Sequence, residues 1–336
     1  MFNTYVNRLK NNNDLTAAEA EDMLGFILDD HPEVTDQVII EILVALTVKE
    51  PTINEVMGFV SAMRKRMNHI KAPAGAIDNC GTGGDKSNTF NISTAAALLI
   101  AAGGVAVAKH GNRAATSKCG SADVLEALQI PIDLKPDEAA KTLETNNFVF
   151  LFAPLYHPSL KRLGLIRKSL GHPTIFNILG PLLNPANVNR QVIGTFNIKN
   201  CQIIAEALSR MNVEHAMVLT SEDGLDEASL SAKTHIIEVK NNTIESFDIS
   251  AESFNLGKAS VSELAGDSAE TNARIILEAF RPPIGALSAY QRAIVYNAGI
   301  GFYVADKVDS LQQAISYAEQ VLRSGKTQKL IAKLGK

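Results

Sequence analysis

The chain has 336 residues, 46% of them hydrophobic, with a formal net charge of −4. That is enough to build a sizeable core in one large domain or two unequal ones, and the mild acidity speaks against nucleic acid or an acidic membrane held through overall positive charge. Cys80, Cys119 and Cys201 are odd in number, scattered and without a CxxC pair, which excludes a disulfide framework and a cysteine zinc site as the expected readings. The opening "MFNTYVNRLKNNN" has no apolar signal core, and no run of about eighteen apolar residues follows anywhere, so a soluble cytoplasmic protein with no membrane partner is expected. The first seventy residues read as helical. "LTAAEAEDMLGFILDD" opens with a capping box, Thr16 with Glu19, and "PTINEVMGFVSAMRKRM" with another, Thr52 with Glu55. Between them "TDQVIIEILVALTVKE" is apolar on more than one face, through Val38, Ile39, Ile40, Ile42, Leu43, Leu46 and Val48. Such a helix is buried among other helices or at a subunit contact.

"HIKAPAGAI" marks a boundary near residues 70 to 76, which predicts a helical domain over 1–72 and an α/β domain over 73–336. Beyond it β-prone runs alternate with helical ones: "AIDNC", a helix from about Ser93, "GVAVAKH", a helix in "SADVLEALQI", then the strands "NFVFLFAP", "HAMVLTS" and "THIIEV". Strand and helix in short succession predict a mostly parallel central sheet with right-handed crossovers. The chain from "SAYQRAIVYNAGIGFYVADKV" to its end is again helical, without repeats or low-complexity tracts.

Two strand ends carry the chemistry, because ligands of open parallel sheets sit beyond the carboxyl ends of the strands. "AIDNC" runs into "GTGGDKSNTFNIS", where Gly81, Gly83 and Gly84 can take positive φ and let backbone N–H groups converge. Ser93 or Thr94 is the expected N-cap of the next helix, and a helix N-terminus favours an anion by up to about 2 kcal/mol. "VAVAK" runs into "HGNRAATSKCGS", which adds Lys109, His110, Arg113 and Lys118 as actual or potential cations beside Lys86. A lone glycine turn or a lone basic cluster is ordinarily only a turn or a solvated face. Together, at successive strand ends, they favour a multiply phosphorylated small molecule. Asp85 fits such a pocket if it reads hydroxyls or faces the accompanying cation; otherwise it caps a turn. After "HAMVLTS" comes "EDGLDEASL", with Glu222, Asp223, Asp226 and Glu227 within six residues. Carboxylates at a strand end suit Mg²⁺, which keeps several waters and binds ligand phosphates. A solvated turn followed by an acidic helix N-terminus is the plainer reading for Glu222 and Asp223.

The motifs "GTGGD", "NIST", "KHGNRAATSKCGSADVLEALQI", "IRKSLG", "FNILGPLLNPA" and "GLDEAS" occur in that order. In them the chain resembles the anthranilate phosphoribosyltransferases over nearly its whole length. The resemblance implies a nucleoside-phosphorylase-like phosphoribosyltransferase fold: a small helical N-terminal domain, joined by helices around 155–185, and a larger α/β domain, as a homodimer through the helical part. It implies phosphoribosyl pyrophosphate and anthranilate as substrates and Mg²⁺ as cofactor. The donor would be held by Gly81, Gly84, Asp85, Thr89, Asn91, Ile92, Ser93, Thr94, Lys109, His110, Gly111, Asn112, Arg113, Ala114, Ala115, Thr116, Ser117 and Ser121. Anthranilate would lie near Gly81, Asn112 and Arg167, and the metal on Ser93, Asp226 and Glu227.

By pattern alone Arg167, in "HPSLKRLGLIRKSLG", is a surface arginine; the resemblance makes it a bidentate partner of the anthranilate carboxylate. His157 would help shape that pocket. Pro173 stands where the family commonly has Arg, with His172 beside it as a partial substitute. Displacement of pyrophosphate by an aromatic amine needs charge neutralisation, alignment and exclusion of water. Neither a covalent nucleophile nor an obligatory general base is expected. Cys80 and Cys119 read as packing residues, with Cys119 near the pocket. Two other readings belong to the same fold: a pyrimidine nucleoside phosphorylase-like enzyme, against which "KHGNRAATS" speaks, and a nucleic-acid-binding relative without synthetic activity, against which the charge of −4 speaks.

Overall fold

A computed structural model describes residues 2–335 apart from Lys86 and 115–117. The chain divides into two compact units, Met1–His69 with Pro154–Pro185, and Ile70–Ala153 with Ala186–Lys336. The helices before the first strand are α1 (Phe2–Lys10), α2 (Ala17–Leu28), α3 (Asp36–Lys49) and α4 (Ile53–Arg64). Then come α5 (Ile92–Ala102), α6 (Ser121–Ala127), α7 (Pro136–Asn146), α8 (Ala153–Tyr156), α9 (Lys161–Leu170), α10 (Phe176–Leu179) and α11 (Ile198–Arg210). The last four are α12 (Ala269–Ala279), α13 (Ala289–Val304), α14 (Leu311–Arg323) and α15 (Lys326–Leu334). The strands are β1 (Ile77–Gly81), β2 (Val107–Gly111), β3 (Phe148–Phe152), β4 (Arg190–Gly194), β5 (His215–Ser221), β6 (Thr234–Lys240) and β7 (Thr243–Ile249).

The larger unit is built on one seven-stranded sheet in the order β3-β2-β1-β4-β5-β6-β7. From β3 to β5 every pairing is parallel. β6 and β7 add on antiparallel, so "THIIEV" is not the parallel strand that the alternation suggested. The reason is the connection: parallel neighbours need a crossover, usually helical, and residues 222–233 form no helix. β4 and β7 are strands the sequence reading did not anticipate. β4 is a short five-residue strand, buried from Gln191 to Gly194, and β7 is an edge strand with most side chains exposed.

The sheet order reverses direction between β1 and β4, the kind of position where open α/β sheets place ligands. Their ends are in register, with Gly81 opposite Gly194. α5 is apolar on nearly every face and buried from Thr94 to Ala101, as a helix enclosed in a core must be. The equally buried stretch of α13 from Ala293 to Phe302 shares that core.

In the helical unit both capping boxes form. Thr16 N–H donates to Glu19 Oε2 at 2.9 Å and Glu19 N–H to Thr16 Oγ1 at 3.3 Å; the same exchange links Thr52 and Glu55 at 2.7 and 3.4 Å. Glu55 does more than cap. It is fully buried, accepts from Leu15 N–H at 3.0 Å, and pairs with Lys49 Nζ at 2.8 Å. α3 buries Ile39, Ile42, Leu43 and Leu46 but leaves Val44 40% and Val48 79% exposed, so this chain covers only one side of it.

Removing Glu55 takes the buried partner from Lys49 Nζ and leaves it the exposed Asp14, which pairs with it at 2.6 Å. Glu55→Ala, which also removes the α4 cap and the acceptor of the Leu15 N–H, is therefore expected to lower stability by about 2–3 kcal/mol, read from urea unfolding of the whole chain by circular dichroism. A loss no larger than that of an ordinary cap, about 1 kcal/mol, would contradict the role given to the Lys49 pair.

Candidate active site

The site of the larger unit starts at the β1–β4 switch point. The acidic loop after β5 is laid directly over the two strand ends. A Cβ at Gly194 would sit 1.5 Å from the Asp226 carbonyl oxygen, and one at Gly81 would sit 2.4 Å from Asp226 Oδ2. Gly81 is thus required for close approach rather than for a positive φ; Gly83 and Gly84, at +65° and +89°, supply the left-handed turn. Gly83 N–H donates to Asp226 Oδ2 at 3.1 Å.

This approach gathers three carboxylates. Oxygens of Asp85, Asp226 and Glu227 all lie within 4.8 Å of one another. Asp226 is pushed from its ordinary 3.8 up to about 6, first by burial and then by the charge of Asp85. Glu227 is pushed well up by burial and by Asp226. Its Oε2 is buried without a hydrogen-bond partner, and so is Asn79 Oδ1. Both residues line a cavity of about 20 Å³ with Cys80, Ser93, Asp226 and Asn297. An acceptor-rich pocket of carboxylates with orphaned oxygens is a donor set for a hard divalent cation. Ser93 lines the same cavity as Asp226 and Glu227, and Asp85 joins the two acids as a third, which favours its cation-facing reading.

Below the acids lies Lys109 on β2. It is 1% exposed, and its Nζ donates to the Asn79 carbonyl at 2.5 Å and to Ser93 Oγ at 3.5 Å. Burial lowers its pKa, while Asp78, Glu227 and Asp226 act the other way. Asp78, also buried, accepts from the His110 N–H at 3.1 Å and so ties β1 to β2.

The expected cap of α5 is corrected. The N-cap is Asn91, not Ser93 or Thr94, and it makes no side-chain cap bond. Its amide is engaged elsewhere: Nδ2 donates to the Cys119 carbonyl at 3.1 Å, and Oδ1 accepts from Asn272 at 2.9 Å. Ile92 is buried, and buried Thr94 donates to Ser121 Oγ at 3.0 Å, linking the starts of α5 and α6. Thr89 bridges antiparallel to Ala265.

The second loop is closed by Asp123, whose Oδ2 accepts from Ala114 N–H at 3.0 Å and Gly120 N–H at 2.8 Å. Arg113 pairs with Asp123 at 3.0 Å and with Glu126 at 2.8 Å, over the Phe152 ring. Lys118 pairs with Asp267 at 2.7 Å. Of the cations counted from sequence, Arg113 and Lys118 are therefore engaged with protein acids. The exposed Asn112 accepts from Arg113 N–H at 2.8 Å, and its carbonyl from Ala122 N–H at 3.3 Å; the half-buried Gly111 ends β2. Lys86, Ala115, Thr116 and Ser117 lie outside the described residues.

Glu222 is exposed, and Asp223 organises its own loop, accepting from Leu225 N–H at 3.4 Å, Ser229 Oγ at 2.5 Å and Ser231 Oγ. The turn reading holds for both, but no helix follows. It is Cys80 that lines the cavity, its thiol pushed well up by burial and Asp78; Cys119 is buried and pushed up to about 11. Neither is a thiolate. Asn79 and Asn297 escaped the sequence reading; each is a buried polar residue, Asn297 within the apolar stretch of α13 from Ala293 to Phe302.

In the helical unit Arg167, on α9, stacks over the Phe176 ring at 5.1 Å. Burial lowers its pKa, and no carboxylate among the described residues opposes that. His157 is buried and held down to about 4, so it is neutral at physiological pH. Pro173 is exposed, and so is His172, whose Nδ1 meets the Pro173 carbonyl at 3.0 Å.

Residues 3–67 match the helical bundle domain of a glycosyl transferase family, and residues 74–328 match its a/b domain. Fold and acidic site together define a two-part glycosyl transferase. The Methanosarcina acetivorans anthranilate phosphoribosyltransferase is 43% identical over 324 residues, 96% of this chain and 86% of that one. Among solved structures, the Thermus thermophilus enzyme of that name matches with a TM-score of 0.91 at 34% identity, covering 98% of each chain. The Saccharomyces cerevisiae enzyme in complex with PRPP and Mg matches with 0.90 at 26%, covering 99% of this chain and 96% of that one. The chain belongs to the anthranilate phosphoribosyltransferase family.

A carboxyl raised in the folded state stabilises while protonated: its contribution is complete below the unfolded value near 4 and is lost as pH rises through about 6. Metal-free protein is expected to lose on the order of 1–2 kcal/mol more between pH 5 and pH 7.5 than Asp226→Asn does. Thermal melts of both at the two pH values measure this, and Mg²⁺ should stabilise the parent more at the higher pH. Parallel pH profiles would contradict the assigned electrostatics.

Proposed function

We infer that the chain transfers the phosphoribosyl group of 5-phosphoribosyl 1-pyrophosphate to anthranilate, giving N-(5-phosphoribosyl)anthranilate and pyrophosphate, a step of tryptophan biosynthesis. The observation that carries this is the acid cluster Asp85, Asp226 and Glu227 over the Gly81 and Gly194 strand ends, in a chain whose relatives bear that activity in their name. The comparisons favour this reading over a nucleoside phosphorylase or a nucleic-acid-binding relative.

The donor would lie on the first loop, against Gly81, Gly84, Asp85, Thr89 and the Asn91 to Thr94 run, and on the second from Lys109 to Ser117, with Ser121. With Arg113 and Lys118 ion-paired, backbone N–H groups and the N-terminus of α5 become the main anion partners. Mg²⁺ would be held by Asp226 and Glu227, with Ser93 and Asp85 at hand, and when bound supplies charge neutralisation for the departing pyrophosphate. Lys109 offsets the acids from below. Gly81, Asn112 and Arg167 would receive anthranilate, Arg167 through its carboxylate. The anthranilate amine is unprotonated at neutral pH, so these residues need only align it and keep water from the anomeric carbon.

The protein would work in the cytoplasm. Among the described residues no helix is long and apolar enough to cross a membrane. A homodimer through the helical unit is supported by its uncovered apolar side chains, Val44, Val48 and Leu165, the last 70% exposed.

Purified protein is expected to consume anthranilate fluorescence only when phosphoribosyl pyrophosphate and Mg²⁺ are both present. A persistent signal from folded protein would sink the reading. Arg167→Ala should raise the KM for anthranilate at least tenfold while changing the donor KM less than threefold, in line with the loss of a charged hydrogen bond; equal changes would count against its role.

A further inference from the structure

We propose that Asn297 on α13, with Ser221 at the end of β5, is a positioning residue that fixes the peptide behind Glu227 so that its carboxylate faces the cation. This rests on the reading that the acid cluster binds a divalent ion. Residues 222–233 contain no helix or strand, yet they carry Asp226 and Glu227. A chelating loop without regular structure needs an outside scaffold to hold its ligands.

The scaffold acts on a single peptide plane. Its oxygen, the Glu227 carbonyl, accepts from Ser221 Oγ at 2.7 Å. Its N–H, that of Ala228, donates to Asn297 Oδ1 at 2.9 Å. The plane is thus gripped at both edges, which sets the backbone torsions on either side of it and with them the direction of the Glu227 side chain. Asn297 also donates through Nδ2 to the Ala228 carbonyl at 3.1 Å and to the Ala293 carbonyl of its own helix at 3.0 Å. The last bond locks the amide to α13, which is buried in the core. Asn297 is 8% exposed and Ser221 5%, so water cannot substitute for either. Only a side chain with a donor and an acceptor on one short planar group serves both the N–H and the carbonyl of Ala228. Asn297 also lines the cavity with Asp226 and Glu227, yet its bonds are spent on backbone. It is a support of the ligand rather than a ligand.

Outer-shell partners of metal ligands change metal affinity by about 10–100-fold when removed. The test is Mn²⁺ binding to metal-stripped protein, followed by electron paramagnetic resonance of the free ion, with melting curves as a check on folding. Asn297→Ala is expected to weaken Mn²⁺ binding roughly 10–100-fold, and Ser221→Ala, which removes the bond to the Glu227 carbonyl together with that to Thr234 Oγ1 and spares the amide, roughly 3–10-fold. In turnover, the same variants should raise the Mg²⁺ requirement while leaving the anthranilate KM unchanged, which general loosening of the core would not do. Folded Asn297→Ala with parental Mn²⁺ affinity would overturn the inference. If that variant does not fold, parental affinity in Ser221→Ala overturns it instead. Failure of the parent protein to take up Mn²⁺ would overturn the metal reading, and this inference with it.

Discussion

The buried ammonium of Lys109 is the charge on which the site depends. It sits 1% exposed on an interior strand, with Asp78 to one side and Asp226 and Glu227 above. A buried lysine is costly unless acids and carbonyls surround it, and clustered acids are costly unless a cation lies near. Each makes the other tolerable. Asp226 and Glu227 nonetheless stay above their ordinary pKa values, so the compensation from below is incomplete. The remaining repulsion is what a divalent ion on the open side would relieve.

That arrangement dictates where glycine must be. The acidic loop reaches Lys109 only by crossing the ends of β1 and β4 at van der Waals distance, and a Cβ at Gly81 or Gly194 would block it. The same crossing brings Gly83 N–H onto Asp226. Glycines in this loop therefore do two jobs: two of them set a left-handed turn, and Gly81 makes room for a carboxylate. The second loop is shaped by the opposite means. Asp123 collects two backbone N–H groups and Arg113, so cations that look available in the sequence hold the loop together. An anion bound here would meet mainly backbone dipoles, which need no further reorganisation on binding.

The helical unit follows a similar economy. Glu55 caps α4, accepts the Leu15 N–H and pairs with Lys49 from a fully buried position. Arg167 has an aromatic ring beneath it instead of a carboxylate. An arginine that is partly desolvated and lacks an acidic partner among the described residues is poised for an anionic group.

Much of this was legible in the sequence because it depends on near neighbours. The boxes at Thr16 and Thr52, the strands "HAMVLTS" and "NFVFLFAP", and the glycine-rich and basic character of the two strand-end loops all follow from residues within a few positions of one another. The motif string also placed the chain in its family. What the sequence could not settle depends on partners far along the chain. Asn91 stands at the N-cap of α5 without capping it because its amide is taken by Asn272 and Cys119. β6 runs antiparallel because no helix forms ahead of it. Arg113 is ion-paired because α6 presents Asp123 and Glu126. Asn297 reaches Ala228 across 69 residues of chain. By itself, then, the sequence determined most of the elements, the two capping boxes of the helical unit and the chemical character of the two loops, since these are set by short-range geometry and composition. Only the tertiary structure decided which charges are compensated and which oxygens are left facing the cavity, because burial and pairing are properties of the packed sheet rather than of any segment.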